Sequence, residues 1–412
     1  MSKSSRSIVL FIILFGTMFL FGFVENVKGV TYPLIKTELN VSYEQQGIMV
    51  SLLSLSYVLF CLIGGILIGS LGVKKAFAAG YVIMFLGLAG TFFMPGFWFV
   101  ASALVVVSAG FGLFEVGCNA LAAQIFTSRA ALLMSLMHFF YGVGSSLSPR
   151  VAGTLSAALG WRHVYLLYAP LALVFFIPSL LTRFPLPPGE SLVPDGPGQN
   201  ASSDDGRKKS GTRKITFFAA LKIPVVWIFS VVLGLMVAVE ICSSNWAGLY
   251  FQDVYNLDPK TTGAAFISNF YILFTISRLL SGFAIEKIGY MRSLFIATLA
   301  VIFIFILGFI LGAKGVYVLP GLGLFSAIFW PTLLAAAMGY FREDAPVMTS
   351  AIIVIAGALT SGIQFLMGYT NRLAGPAWGY RSSLLYAVLI IAALVVLTRY
   401  MRRPFKAETG VS

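Results

Sequence analysis

Long apolar stretches separated by short polar breaks run along nearly the whole chain. A membrane-crossing helix needs about 20 predominantly apolar residues. Twelve stretches have about that length, with approximate bounds of 8–32, 47–70, 76–95, 99–126, 131–158, 163–182, 223–252, 260–285, 291–313, 316–341, 346–372 and 380–401. Transmembrane barrel strands would instead alternate over about 10 residues. The pattern therefore predicts an all-α polytopic membrane protein with twelve transmembrane helices. The first stretch is too long for a cleavable signal and contains Glu25 and Lys28 near its end.

The composition strengthens this prediction and excludes several other classes of protein. The 412 residues are 58% hydrophobic and 10% charged, with a mean hydropathy of +0.91. A soluble protein carries roughly 25% charged residues, so a soluble enzyme and a disordered chain are both excluded. The three cysteines, Cys61, Cys118 and Cys242, each lie in an apolar run. Their number and spacing predict neither a disulfide framework nor a metal site, and we expect no cofactor besides a coupling ion.

The basic residues predict the orientation of the chain in the membrane. The net charge is +13, and 19 of the 28 Lys and Arg residues fall on the side that holds both termini. Six fall on the other side, and Lys28, Arg150 and Arg278 lie within spans. Because cytoplasmic loops are enriched in basic residues, both termini are predicted to be cytoplasmic in a plasma membrane, the inner membrane of a bacterium. The basic excess thus reflects topology and anionic lipid, and not nucleic acid.

Residues 183–222 interrupt the apolar pattern with prolines, small polar residues and a basic group. Such a composition cannot bury a core, so we interpret the stretch as a cytoplasmic linker. It separates an N-terminal unit, 1–182, from a C-terminal unit, 223–412. Each unit contains six predicted spans.

The two units repeat each other in sequence, which indicates parallel six-helix copies. The stretch 51–72 aligns with 268–289 at an offset of 217, and 40–47 aligns with 256–263. Two further matches are 110–114 with 321–325, and Gly160-Trp-Arg with Gly379-Tyr-Arg.

With this repeat, the chain resembles transporters of the major facilitator superfamily over nearly its whole length. The loop after span 2 resembles the family motif Gly-x3-Asp-Arg-x-Gly-Arg-Lys. It departs from that motif because Gly69 and Ser70 stand where Asp-Arg is usual, whereas the second copy has Glu286 and Lys287. The resemblance implies two pseudo-symmetric six-helix bundles, secondary active transport by alternating access and no enzymatic activity. We expect a monomer that binds a small, sugar-like solute and membrane lipid.

A narrower resemblance lies in span 4. The run from Gly110 to Asn119 resembles the Gly-x-Gly-x2-Glu-x3-Asn pattern of the fucose permease-like branch, which imports hexoses with protons. The stretches 138–149 and 240–246 also fit that branch. Its span 1 aspartate is missing here, because Gly29 occupies the matching position.

Ionisable residues inside spans are costly and therefore mark candidate functional positions. Glu115 lies in the middle of span 4, with Asn119 one turn further on the same face. The pair can bind sugar hydroxyls, and Glu115 can carry the coupled proton. The structural alternative is a hydrogen bond between Glu115 and a neighbouring helix.

Span 1 and span 7 supply further candidates at matching places in the repeat. Glu25, Asn26 and Lys28 either line a cavity or form a neutralised pair in which Lys28 extends outward. Glu240 is a second candidate proton carrier, as is Glu25. Asn245 and Trp246 follow Glu240, and an indole can stack on a sugar ring or mark a membrane interface.

The remaining candidates are weaker. His138 in span 5, with Tyr141 three residues later, can relay protons or simply pack, and both are substrate-binding candidates. Arg150 can bind an anionic substrate, but a salt bridge or an outward extension of its side chain explains it better, and Arg278 is predicted to pair with a carboxylate between helices. Asn269, Trp330 and Gln364 are substrate-binding candidates in the second unit, although helix packing explains them equally well.

Three functions follow as hypotheses. The first is proton-coupled uptake of a sugar or related polyhydroxy solute, with sodium as an alternative coupling ion. The second is a proton-driven exporter of drugs or metabolites, since 144–153 loosely resembles an antiporter motif. The third is a non-transporting sensor or a carrier of an anion such as an acidic sugar, for which Lys28 and Arg150 are suited.

Overall fold

The structure is a computed structural model that describes residues 3–126, 130–185, 216–402 and 405. These residues form helices and contain no β-strand. The first half contains α1 (Lys3–Glu25), α2 (Lys28–Glu38), α3 (Tyr43–Leu71), α4 (Val73–Phe93), α5 (Phe97–Ile125), α6 (Ala130–Leu159) and α7 (Trp161–Leu181). The second half contains α8 (Phe217–Ala220), α9 (Pro224–Asn245), α10 (Ala247–Tyr255), α11 (Ala264–Ile288), α12 (Tyr290–Ile310), α13 (Leu322–Ser326), α14 (Phe329–Phe341), α15 (Ala345–Ala374) and α16 (Pro376–Met401). Most of the predicted linker, 186–215, lies outside the described residues, so the domain boundaries stay a prediction.

Eleven segments of the described chain are long and apolar enough to cross a membrane. The remaining long helix, α6, has 30 residues and packs against α1, α7 and α11. It completes the set of twelve. The predicted fold class, a twelve-helix membrane protein built from two six-helix bundles, is therefore confirmed.

Three spans that the sequence predicts as continuous are interrupted in the structure. The first breaks between α1 and α2, where the side-chain amide of Asn26 bonds the carbonyl of Gly22 at 3.1 Å. That carbonyl also accepts the backbone N–H of Asn26, at a stretched 3.4 Å, because the two donors share one acceptor. The predicted span 223–252 breaks at Trp246. The tenth span breaks after α13 because Pro331 has no N–H for the carbonyl four residues earlier.

The repeat is visible in backbone conformation as well as in sequence. Asn40 and Asn256 have φ values of 51° and 54°, and Gly72 and Gly289 have 81° and 88°, in each case at matching positions. For the last predicted match the structure shifts the register. Gly160 adopts φ 87° before α7, whereas the equivalent residue before α16 is Gly375 at 86° and not Gly379, one turn later.

Small residues allow the halves to approach closely where α3 meets α15 and α6 meets α11. A Cβ added to Gly47 would lie 2.8 Å from the Cα of Gly368. A Cβ added to Gly153 would lie 2.1 Å from the carbonyl oxygen of Lys260. Backbone contact of this kind is typical of membrane helices and requires residues without bulky side chains.

Polar contacts between the halves join them at one end of the bundle, the end that the basic residues predict to be external. The ammonium of Lys36 lies 3.3 Å from the carboxylate of Asp253. The Tyr43 hydroxyl donates to the same carboxylate at 2.5 Å, and Arg372 pairs with Glu44. We call this the sealed end, because these contacts hold the two halves together there.

Candidate functional site

Three carboxylates lie within membrane-spanning helices and are not fully buried. Glu25, Glu115 and Glu240 are partly exposed, although the residues before each of them on the same helices are buried. Val24 and Phe114, for example, are 2% and 0% exposed. Charged groups within membrane helices usually face other helices or a water-filled space instead of lipid. All three predicted proton carriers therefore keep accessible carboxylate surface within the spans.

Arg278 on α11 lies near two of these carboxylates, Glu115 and Glu240. It is close enough to Glu115, Glu240 and His138 to act on all three electrostatically. Its guanidinium stacks on the ring of Phe274, 4.5 Å from the ring centroid. Because Arg278 and Glu240 both belong to the second half, only the attraction between Arg278 and Glu115 acts between the two halves.

The predicted interhelix salt bridge of Arg278 is wrong for this structure. No carboxylate of the described residues lies within 4.0 Å of it, and its Nε has no hydrogen-bond partner there. The side chain instead uses the aromatic face of Phe274. An arginine held in this way keeps donors available for a ligand, because its fork of N–H groups suits carboxylate and similar anions.

Glu25 and Lys28 form the predicted ion pair across the break between α1 and α2. The side chain of Lys28 is only 8% exposed, and its ammonium lies 6.0 Å from the ring centroid of Phe111. It therefore points inward, and the alternative in which Lys28 extends outward is wrong. Glu25 keeps 25% of its side chain exposed, so the pair contributes a carboxylate surface to the cavity.

Two predicted amides have different surroundings. Asn119 donates to the Oε1 atom of Glu115 at 3.1 Å and to its backbone carbonyl at 2.8 Å. These contacts place Asn119 and Glu115 on one face, as their spacing predicts. Asn26 is buried and donates to the Oγ of Ser145 at 2.9 Å, so it joins α1 to α6.

Tyr141 and His138 lie on α6 beside this cluster. The ring of Tyr141 meets that of Phe21 edge-on at 5.2 Å. Its hydroxyl is within electrostatic range of Glu25, Glu240 and Arg278. His138 lies within electrostatic range of Arg278, so the structure places both predicted residues near the charged cluster.

Trp246 and Gln364 bond each other instead of facing the cavity. The indole N–H donates to the Gln364 carbonyl at 2.7 Å, and the Gln364 amide donates to the sulfur of Cys242 at 3.4 Å. Trp246 is 2% exposed and Gln364 is fully buried. The pair joins α9 to α15, and Asn245 beside it is also buried.

Two other candidates from the second half lie apart from these groups. Asn269 is exposed on α11 and accepts a hydrogen bond from Arg150 at 3.1 Å. Trp330 lies in the first turn of α14, next to the break before Pro331, and is partly buried against the core.

The structure also adds residues that sequence reasoning missed. Tyr57 on α3 lies within electrostatic range of Glu115 and Glu25, and Tyr271 on α11 lies within range of Glu240. Tyr271 also donates to the Oγ of Ser244 at 3.3 Å. Their only sequence signal is a hydroxyl inside an apolar span, and with 17 tyrosines in the chain that signal selects poorly.

The two halves contribute different charged groups to this cluster, although their sequences repeat each other. At the offset of 217, Arg278 corresponds to Cys61, which lies within electrostatic range of Glu115. The first half thus supplies carboxylates, and the second supplies both a carboxylate and the arginine. Within the described ranges, no group of three or more metal-binding side chains occurs.

Comparison with known proteins agrees with this architecture. The sequence model described as Major Facilitator Superfamily matches residues 14–365. A "Putative glucose/galactose transporter" of Helicobacter pylori is 24% identical over 388 residues, which cover 88% of this chain and 90% of that protein. The "Probable sulfoacetate transporter SauU" of Cupriavidus necator is 25% identical over 162 residues, which cover 38% of this chain and only 37% of that protein.

A solved structure has the same fold. The E. coli fucose:proton symporter FucP superposes with a TM-score of 0.63 at 17% identity, covering 97% of this chain and all of that one. At this identity the likeness concerns the fold alone.

Proposed function

The chain belongs to the Major Facilitator Superfamily and is a transporter rather than an enzyme, and from this premise we propose proton-coupled transport of a sugar or related polyhydroxy solute. Alternating access exposes a central site to each side of the membrane in turn. We further propose that both termini lie on the cytoplasmic side of a plasma membrane, as the basic residues predict.

One observation carries the proposal: Glu115 lies in the interior beside Asn119, with no cation in direct contact. This statement refers to the described residues. A carboxylate that has no cation in direct contact can take up a proton, and the amide beside it can bind hydroxyl groups. A sugar presents many donors and acceptors, which match this mixture.

Electrostatics within the cluster supports coupling. Arg278 acts on Glu115 from the first half and on Glu240 from the second. When Glu115 is protonated, it loses its attraction to Arg278 of the second half, and the two halves lose part of the force that holds them together there. Glu240 lies in the same half as Arg278, so its charge affects how strongly the arginine is held within that half. Protonation and the relative position of the halves are thereby linked.

Transport into proteoliposomes tests the proposal. A thermal-shift panel of sugars and sugar acids first identifies a ligand, since a solute that binds the folded protein raises its stability. We expect Glu115→Gln to retain exchange of labelled ligand across the membrane but to lose accumulation driven by a pH gradient. Glu343→Gln changes an exposed carboxylate outside the cluster and serves as the control.

The outcomes separate the parts of the proposal. Accumulation by Glu115→Gln at the wild-type level would contradict the proton-carrying role of this residue. Accumulation that follows a sodium gradient instead of a pH gradient would replace the proton by sodium as the coupling ion.

A second candidate, transport of an acidic sugar or similar anion, is favoured by the unpaired Nε of Arg278. In this case the guanidinium binds a carboxylate or sulfonate of the substrate. We expect Arg278→Gln to abolish the thermal shift caused by sugar acids and to preserve the shift caused by neutral sugars. Equal loss of both shifts would contradict an anion-specific role.

A further inference from the structure

A groove outside the central cluster runs between α6 of the first half and α11 of the second. It has a volume of about 280 Å³. Its walls are largely apolar and are formed by Phe139, Val143, Leu147, Ile272 and Ile276. Leu147, Ile272 and Ile276 are 49%, 39% and 43% exposed. On the surface of a membrane protein, such a groove is open to lipid.

Arg150 closes this groove on the side nearer the sealed end. The guanidinium donates to the neutral amide oxygen of Asn269 at 3.1 Å. No carboxylate of the described chain pairs with it. An exposed arginine without an acidic partner attracts an anion, especially a phosphate that can accept two parallel hydrogen bonds.

Beyond Arg150 the surface becomes polar. A second cavity of about 240 Å³ adjoins the first through Asn269 and is lined in part by Thr261, Thr262 and Tyr317. Along one line the surface therefore presents an apolar groove, a guanidinium and then hydroxyl groups. A phospholipid has the same order of acyl chain, phosphate and polar headgroup.

The depth of Arg150 suits a lipid phosphate. Helix α6 has 30 residues, which makes it about 45 Å long, against about 30 Å for the hydrocarbon core. A centred helix of this length extends roughly 7 Å beyond the hydrocarbon core at each end. Arg150 precedes the last residue of the helix, Leu159, by nine positions, or about 13 Å. Its Cα therefore lies roughly 6 Å inside the hydrocarbon boundary. A long arginine side chain can extend from there to the headgroup level.

We propose that this groove binds an anionic phospholipid of the leaflet at the sealed end, with its phosphate on Arg150 and an acyl chain between α6 and α11. Two close contacts of the halves lie along the groove, one at Gly142 and Thr275 and the other at Gly153 and Lys260, nearer the sealed end. The width of the groove therefore depends on the angle between the halves. A lipid bound there favours the conformation in which the sealed end is closed.

Lipid titration of the purified full-length protein in detergent tests the proposal. Dioleoylphosphatidylglycerol is titrated against thermal unfolding, with zwitterionic dioleoylphosphatidylcholine, whose net charge is zero, as the comparison. We expect Arg150→Gln to weaken the apparent affinity for phosphatidylglycerol about tenfold, which corresponds to the loss of one charge-assisted hydrogen bond. Arg150→Lys should retain most of the effect. Lys314→Gln, an exposed basic residue near the sealed end and outside the groove, should change nothing.

Two further measurements test whether the apolar groove and the acyl chains of the lipid are needed for binding. Ile272→Trp fills the groove and leaves the arginine intact, so it should also weaken lipid binding. This variant tests the groove independently if Arg150→Gln fails to fold. Glycerol phosphate, which has the headgroup chemistry without acyl chains, should not reproduce the stabilisation. Equal effects of Arg150→Gln and Lys314→Gln, unchanged binding by Ile272→Trp, or full stabilisation by glycerol phosphate would each overturn the proposal.

Discussion

Replacing Asp253 by asparagine removes the central acceptor of the sealed end. Its carboxylate lies 3.3 Å from the ammonium of Lys36 and accepts the Tyr43 hydroxyl at 2.5 Å. Both contacts join the second half to the first. Asparagine retains the shape of the side chain but loses the charge, so the perturbation is mainly electrostatic.

The size of the effect follows from the burial of the pair. The side chains of Lys36 and Asp253 are 21% and 16% exposed. Exposed ion pairs contribute at most about 1 kcal/mol, whereas breaking a buried pair costs about 3–5 kcal/mol. A pair of intermediate burial should contribute about 2 kcal/mol, since solvent screens part of it. The ratio of closed to open molecules at the sealed end should therefore fall roughly 30-fold.

The second ion pair of the sealed end provides a matched control. Arg372 and Glu44 are 56% and 35% exposed. Glu44→Gln should therefore cost less than about 1 kcal/mol and shift the same ratio less than about fivefold. The structure therefore predicts that Asp253→Asn lowers the ratio of closed to open molecules more than Glu44→Gln does, although both substitutions remove one carboxylate charge.

Distance measurements between spin labels provide the assay. Ala158 at the end of α6 and Ala313 after α12 are exposed residues in different halves, and each can be replaced by a labelled cysteine after removal of the native cysteines. We expect Asp253→Asn to increase the fraction of long distances, while Glu44→Gln leaves it nearly unchanged. Equal shifts in both variants, or no shift in Asp253→Asn, would refute the assignment of this network as the main closure.

Three further substitutions have definite expected outcomes. Glu25→Gln leaves Lys28 as a largely buried cation without its partner and should lower stability by about 2 kcal/mol, and an unchanged thermal midpoint in detergent would argue against the pair. Gln364→Ala leaves the buried indole N–H of Trp246 without an acceptor and should lower the free energy of unfolding by about 1–3 kcal/mol, measured in the same way. Gly153→Val places a side chain against a carbonyl of the opposite half and should slow uptake about tenfold or more, with Gly153→Ala intermediate; normal uptake by the valine variant would show that this contact opens at little cost.

The breaks within spans show how far local sequence reasoning extends. Pro331 accounts for the interruption of the tenth span, because proline always lacks the N–H that the helix requires. The break near Asn26 could not be predicted in the same way. A side-chain amide inside a helix can bond its own backbone or a neighbour, and the position of Ser145 opposite Asn26 determined the result.

Sequence by itself determined the number of membrane helices, the repeat and the positions of the interior carboxylates. Each of these properties depends on the composition of one segment, because the cost of placing a charge or a polar backbone in hydrocarbon is local. Glu115 and Glu240 were thus identifiable without knowledge of any neighbour.

Only the tertiary structure decided which polar side chains remain available to a ligand. Arg278 was expected to be paired and has no ion-pair partner in the described part of the chain, whereas Trp246 and Asn26 are already hydrogen-bonded. The partners of Trp246 and Asn26 lie more than 100 positions away in sequence. In the described part of the chain, no carboxylate comes within ion-pair distance of Arg278. Such pairings depend on the rotation and depth of one helix against another, and these are set by packing across the whole bundle.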